Sequence, residues 1–127
     1  MNNQKDKPST FGPYSPVRQA GTLYFISGQV GVDVATKTAP HGVADQTRLA
    51  LANLAGALDS VGLTPDDVLK TTVYLADMGD FAAMNDIYVQ FFVEPRPARA
   101  CVAVKELPRV AGDIPIRVEI EAVAAKD

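Results

Sequence analysis

The segment that most constrains this chain is Arg117-Val118-Glu119-Ile120-Glu121-Ala122-Val123-Ala124. Val118, Ile120, Ala122 and Ala124 alternate with Arg117, Glu119 and Glu121. Successive strand side chains point to opposite faces, so this pattern predicts a β-strand with two unlike faces. One face must be covered by another layer. Two helical stretches can supply it. Asp45 is placed to cap a helix running to about Val61, in which Ala50, Leu54, Ala57, Leu58 and Val61 form one apolar face. Gly62 stands where a C-terminal stop belongs. Asp80 is placed to cap a second helix with Phe81, Met84, Tyr88 and Phe91 on one stripe and Ile87 beside it. Glu94-Pro95-Arg96-Pro97 ends that helix.

The remaining strands follow from local composition. Leu23 to Ile26 is aromatic and β-branched and ends at Ser27-Gly28. Val68 to Leu75 is rich in Thr, Val and Tyr, and Thr64-Pro65-Asp66-Asp67 before it reads as the first turn of a brief helix. Ala98 to Val104 and Ile116 to Ala124 close the chain. Gly12-Pro13-Tyr14-Ser15-Pro16 fixes a turn, and residues 33–42 read as a loop. The order β(β)αβαββ predicts an α/β or α+β layer, with two helices on one face of a sheet. At 127 residues the chain fits one domain, here 11–127, preceded by a loose polar segment over 1–10.

Composition narrows the function classes. A net charge of −3 leans against nucleic acid, whose phosphates favour a basic footprint. One cysteine, Cys101, and one histidine, His41, build neither a disulfide nor a structural zinc set within one chain. The N-terminus is polar, without an apolar signal core, and no apolar run reaches the ~20 residues of a membrane span. The expectation is a soluble cytoplasmic domain without metal. There is no phosphate-loop or dinucleotide motif. His41 falls in the loop and is expected exposed.

Arg99 stands out. It opens a small, apolar strand after Pro97-Ala98, with Ala98, Ala100, Val102 and Val104 on one face and Arg99, Cys101, Ala103 and Lys105 on the other. Placing the two final strands with their aliphatic sets together puts Glu119 on the side of Arg99. A subunit interface with a polar pocket would explain so mixed a face. A guanidinium near a sheet interior needs an anion, since an unpaired buried charge costs several kcal/mol. Spacing leaves two partners open: an ion pair with Glu119 or Glu121, or a substrate carboxylate held bidentately. Glu119 is either a solvated strand residue or a carboxylate that places a water. Tyr14 is either a hydrogen-bond donor or a packing aromatic. Cys101 is either an inert thiol or one assisted by Arg99.

Several blocks, in order over about residues 11–124, resemble the RidA/YjgF family of enamine/imine deaminases. They are Gly12-Pro13-Tyr14-Ser15, Ile26-Ser27-Gly28-Gln29, Lys70-Thr71-Thr72-Val73-Tyr74, Asn85 with Tyr88 and Phe91-Phe92, Pro97-Ala98-Arg99-Ala100-Cys101-Val102 and Val118-Glu119-Ile120-Glu121-Ala122. The resemblance implies a chorismate-mutase-like α+β fold and a homotrimer whose sheets line a central barrel, with pockets at the subunit clefts. It implies hydrolysis of 2-imino acids such as 2-iminopropionate or 2-iminobutyrate to 2-oxo acids and ammonia, with no cofactor. By position, Arg99 matches the carboxylate-binding arginine, and Glu119 the water-activating glutamate. Tyr14, Ser27, Gly28, Asn85 and Cys101 match pocket residues. The turn from Pro108 to Pro115 is longer than the family's usual connection, which leaves Glu121 as the alternative to Glu119. The other readings are a non-catalytic trimer that binds small acids or a protein partner, and an endoribonuclease or translation inhibitor.

Overall fold

A computed structural model of the protein describes residues 10–127, so the polar segment expected at 1–10 lies outside the described residues except for Thr10. The elements are β1 (Val17–Ala20), β2 (Leu23–Val30), α1 (Val43–Asp59), β3 (Val68–Leu75), α2 (Phe81–Phe91), β4 (Ala98–Ala103) and β5 (Val118–Ala125). The strands form one mixed sheet in the order β1-β2-β5-β3-β4. β5 runs antiparallel to both β2 and β3, while β3 and β4 are parallel. Both helices pack on one face, giving the α+β layer expected.

Local chemistry explains most boundaries and corrects some. α1 starts at Val43, two residues before Asp45, because the buried Val43 side chain draws the helix start into the core. Gly42 takes the N-cap position, and Asp45 sits in the first turn and pairs with Arg48. The helix stops at Asp59, short of Val61. Gly62 then adopts φ +79°, and the Leu63 amide donates to the Leu58 carbonyl. Asp80 occupies the N-cap position of α2, yet its side chain caps nothing there. Its carboxylate instead accepts from Arg117 Nε at 3.1 Å and Nη2 at 3.0 Å, tying α2 to the start of β5. β2 continues four residues past Ile26, with a register shift against β5 between Ile26 and Gln29.

The core lies between the sheet and the helices. Leu54, Leu58, Met84, Val73, Leu75, Val118 and Ile120 are all fully buried there. Truncating any of these leucines to Ala would cost about 2–5 kcal/mol. A second cluster joins Val30, Val32, Ala39, Ala111 and Ile116, with Phe11 and Val110 against it. The long 108–115 turn therefore folds back on the end of β2. Fully buried Gln46 fastens it: Nε2 donates to the Pro40 and Pro115 carbonyls at 2.8 and 2.9 Å, and Oε1 accepts from the Arg117 amide at 2.7 Å. Gly31 makes room, since a Cβ there would lie 2.2 Å from the Gln46 carbonyl oxygen.

Register overturns one expectation. Arg99 pairs with Thr71 and Cys101 with Val73, and both β3 partners are buried under the helices. Glu119 pairs with Tyr74 and Glu121 with Thr72, on the opposite face. Arg99 and Glu119 thus lie on opposite sides of the sheet. The aliphatic set of β4 faces away from the helices because α2 covers the other set. The open face of the sheet consequently exposes Leu23, Phe25 and Val102 at 38%, 46% and 44%.

Candidate functional site

Two half-sites emerge, one on each face of the sheet. Arg99 projects from β4 beneath α2. Its Nη1 donates to Asn85 Oδ1 at 2.7 Å and approaches Met84 Sδ at 4.0 Å. Its guanidinium carbon lies 4.7 Å from the Tyr88 ring centroid and 5.5 Å from that of Phe81. Those residues fall at i, i+3, i+4 and i+7 of one helix, so a single face of α2 orients the arginine. The Tyr88 hydroxyl is fixed by Thr71 Oγ1 at 2.7 Å. Among the described residues no carboxylate pairs with Arg99. Spacing had left an ion pair with Glu119 or Glu121 open; the sheet keeps both carboxylates away. What remains is a half-buried guanidinium held by an amide oxygen, a thioether and two ring faces. Its charge is oriented but not neutralised, which is the condition for binding an anion.

Cys101 shares this face of β4. Burial pushes its thiol pKa up, and the opposing pull of Arg99 is smaller. The thiol form dominates, so Cys101 is not an activated nucleophile.

The second half-site is a cleft on the other face, lined by Phe11, Tyr14, Gly28, Val30, Asn53, Val110 and Glu119 among others. Gly28 makes room there: a Cβ would lie 2.2 Å from Glu119 Oε2, so the carboxylate could keep this position only over a glycine. The carboxylate rests directly over backbone. Burial, then the neighbouring Glu121, pushes the Glu119 pKa up from the ordinary carboxylate range. A carboxylate of raised pKa is a better proton acceptor. Tyr14 lines the same cleft but stays largely exposed. Ser27, next to Gly28, is committed elsewhere: its Oγ donates to the Ser15 carbonyl at 2.6 Å, and its amide to the Pro16 carbonyl at 3.0 Å. These bonds hold the turn that carries Tyr14. Glu121 is exposed two residues further along β5.

The structure thus brings Tyr14, Gly28 and Glu119 together, with Ser27 behind them, and separately brings Arg99, Asn85 and Cys101 together. It does not join the two sets within one chain. Residues 4–126 match the family described as endoribonuclease L-PSP. The chain belongs to that family, also called RidA/YjgF. Curated relatives span nearly its whole length. The mouse protein named 2-iminobutanoate/2-iminopropanoate deaminase is 43% identical over 94% of this chain and 85% of its own. A RutC family protein of Pyrococcus horikoshii is 42% identical over 97% and 94%. Solved RidA/YjgF structures share the fold. RidA from an Antarctic Psychrobacter superposes with a TM-score of 0.86 at 34% identity, covering 95% of this chain and 94% of that one. Escherichia coli TdcF with bound serine gives 0.84 at 36% identity, covering 97% and 95%.

Sequence reasoning missed several contributors. Phe81 and Tyr88 read as core residues, yet their rings orient Arg99. The helical spacing with Asn85 was the available signal. Asn53, whose Nδ2 donates to the Val30 and Val32 carbonyls at 2.9 and 3.0 Å, had no local signal at all. Exposed His41 takes no part in either half-site. Among the described residues no group of three His, Cys, Asp or Glu side chains forms a metal-binding set, and no helix is long and apolar enough to cross a membrane.

Proposed function

We propose that the protein hydrolyses small reactive 2-imino acids, or their enamine tautomers, to 2-oxo acids and ammonia. The observation that carries this reading is the Arg99 guanidinium, oriented by neutral groups and matched by no carboxylate of its own chain among the described residues. It holds the substrate carboxylate in a bidentate grip. Glu119 takes a proton from a water as that water's oxygen adds to the imine carbon. The C=N electron pair passes to the protonated imine nitrogen, giving a carbinolamine. Glu119 then returns its proton to the amine, the C–N bond breaks to release ammonia, and the hydroxyl loses its proton to solvent as the carbonyl forms. An imine carbon is already electrophilic, so orientation and a placed water carry most of the catalysis.

The two half-sites meet only between subunits. Arg99 of one subunit serves a cleft with Glu119, Tyr14 and Gly28 of the next, in a closed homotrimer. The apolar open face of the sheet, with Leu23, Phe25 and Val102 exposed, is the surface that such an assembly would bury. The name of the mouse relative supports the substrate class.

The test generates 2-iminopropionate or 2-iminobutyrate with an amino-acid oxidase or threonine dehydratase and traps surviving imine with semicarbazide. The protein should cut semicarbazone formation, and Arg99→Ala should not. Equal effects of parent and Arg99→Ala would sink the reading. Binding of small carboxylates without turnover of any imine would point instead to a non-catalytic member of the family.

A further inference from the structure

The cleft around Arg99 contains a second guanidinium that a monocarboxylate does not use. Asn85, Tyr88, Val89, Arg96, Pro97 and Arg99 line it together. Arg96 Nε donates to the Phe92 carbonyl at 2.8 Å, which fixes the base of its side chain at the end of α2. Its Nη1 donates to Glu94 Oε2 at 2.6 Å. The Arg96 side chain is 35% exposed, and that of Glu94 is 78% exposed. An exposed pair of this kind is worth little, about 0–1 kcal/mol, so a ligand carboxylate can replace Glu94. Among the described residues Arg96 Nη2 makes no hydrogen bond. Burial pushes the Tyr88 phenol pKa up, and its hydrogen bond to Thr71 and then the charges of Arg99 and Arg96 oppose that push, so both guanidinium groups act on one point of the cleft.

We propose that Arg96 binds a second carboxylate, and that the preferred substrates are 2-imino dicarboxylic acids. Arg99 holds the carboxylate next to the imine carbon. Arg96 holds the one at the far end of the side chain. This rests on the deaminase reading and deepens it. The Arg96–Phe92 bond also closes the end of α2, so a purely structural role must be separated from recognition.

The experiment measures kcat/KM for 2-iminosuccinate, 2-iminoglutarate and 2-iminobutyrate, each made in situ by an amino-acid oxidase, with parent protein, Arg96→Gln and Arg96→Lys. The readout is the diacid-to-monoacid ratio, alongside calorimetric affinities for 2-oxoglutarate and 2-oxobutyrate. The ratio should favour the diacids in the parent, fall about five- to tenfold in Arg96→Gln, and return in large part in Arg96→Lys. A helix-capping role alone would lower all three substrates together and leave the ratio unchanged, which overturns the proposal. Equal affinity of parent and Arg96→Gln for 2-oxoglutarate overturns it too. If no imine is turned over yet 2-oxoglutarate binding depends on Arg96, the deaminase reading fails and the diacid site stands.

Discussion

At the scale of single residues, the proposed function rests on two side chains that the fold leaves unsatisfied in opposite senses. Arg99 is a cation given direction by Asn85 and Tyr88 but no counter-charge among the described residues. Arg99→Ala should lower kcat/KM for a 2-imino acid by about a hundredfold, mostly through KM, with little loss of thermal stability. Steady-state kinetics and a melting curve check both parts. Glu119 is an acid whose ionised form the fold disfavours, through burial and then Glu121. As a base it must be ionised, so kcat should rise with pH through a folded pKa above the ordinary carboxylate range. Glu121→Gln removes the neighbouring charge and should move that acid limb to lower pH in a pH–rate profile. The same shift has a stability consequence of fixed sign. A raised folded pKa stabilises fully below the unfolded pKa and loses that contribution as pH rises through the folded pKa. At neutral pH, Glu119→Gln should therefore raise Tm while removing most activity. A lower Tm would contradict this view of Glu119.

At the scale of elements, β5 is the member on which both halves of the account depend. Its central position places Glu119, and Arg117, the residue just before it, ties it to α2 through Asp80. Gln46 satisfies the Arg117 amide and two loop carbonyls at once. Gln46→Leu would leave three partly buried backbone groups without this partner and should destabilise by about 1–3 kcal/mol, measured by urea unfolding. The alternation of β5, the stripe of α2 and the stop at Gly62 were legible because each is a local pattern with one physical cause. The candidate residues Tyr14, Asn85, Arg99 and Glu119 stood out through their ordered blocks, whereas Phe81, Tyr88 and Asn53, which the fold places beside them, were not marked as candidates. The face of Arg99 was not legible. Ala98, Ala100 and Val102 look like a core set on hydropathy alone, but a strand's inward face is decided by what covers it. α2 covers the Arg99 side, using rings that tolerate a guanidinium. Nor could sequence show that the 108–115 turn leaves Glu119 over Gly28, because that depends on Gln46, about seventy residues away.

At the scale of the whole molecule, one chain holds two incomplete sites on opposite faces of a sheet and leaves an apolar face uncovered. The proposed ring, in which each cleft takes Arg99 from one subunit and Glu119 from its neighbour, would account for both facts. Complementation tests this most directly. Arg99→Ala and Glu119→Gln subunits, each inactive alone, are unfolded together, refolded as an equal mixture and assayed for imine hydrolysis. In a closed trimer with random mixing, about a quarter of the clefts should carry both native residues, and about a quarter of the parent activity should return. Mixed trimers, verified by native mass spectrometry, that recover no activity would contradict a site shared between subunits.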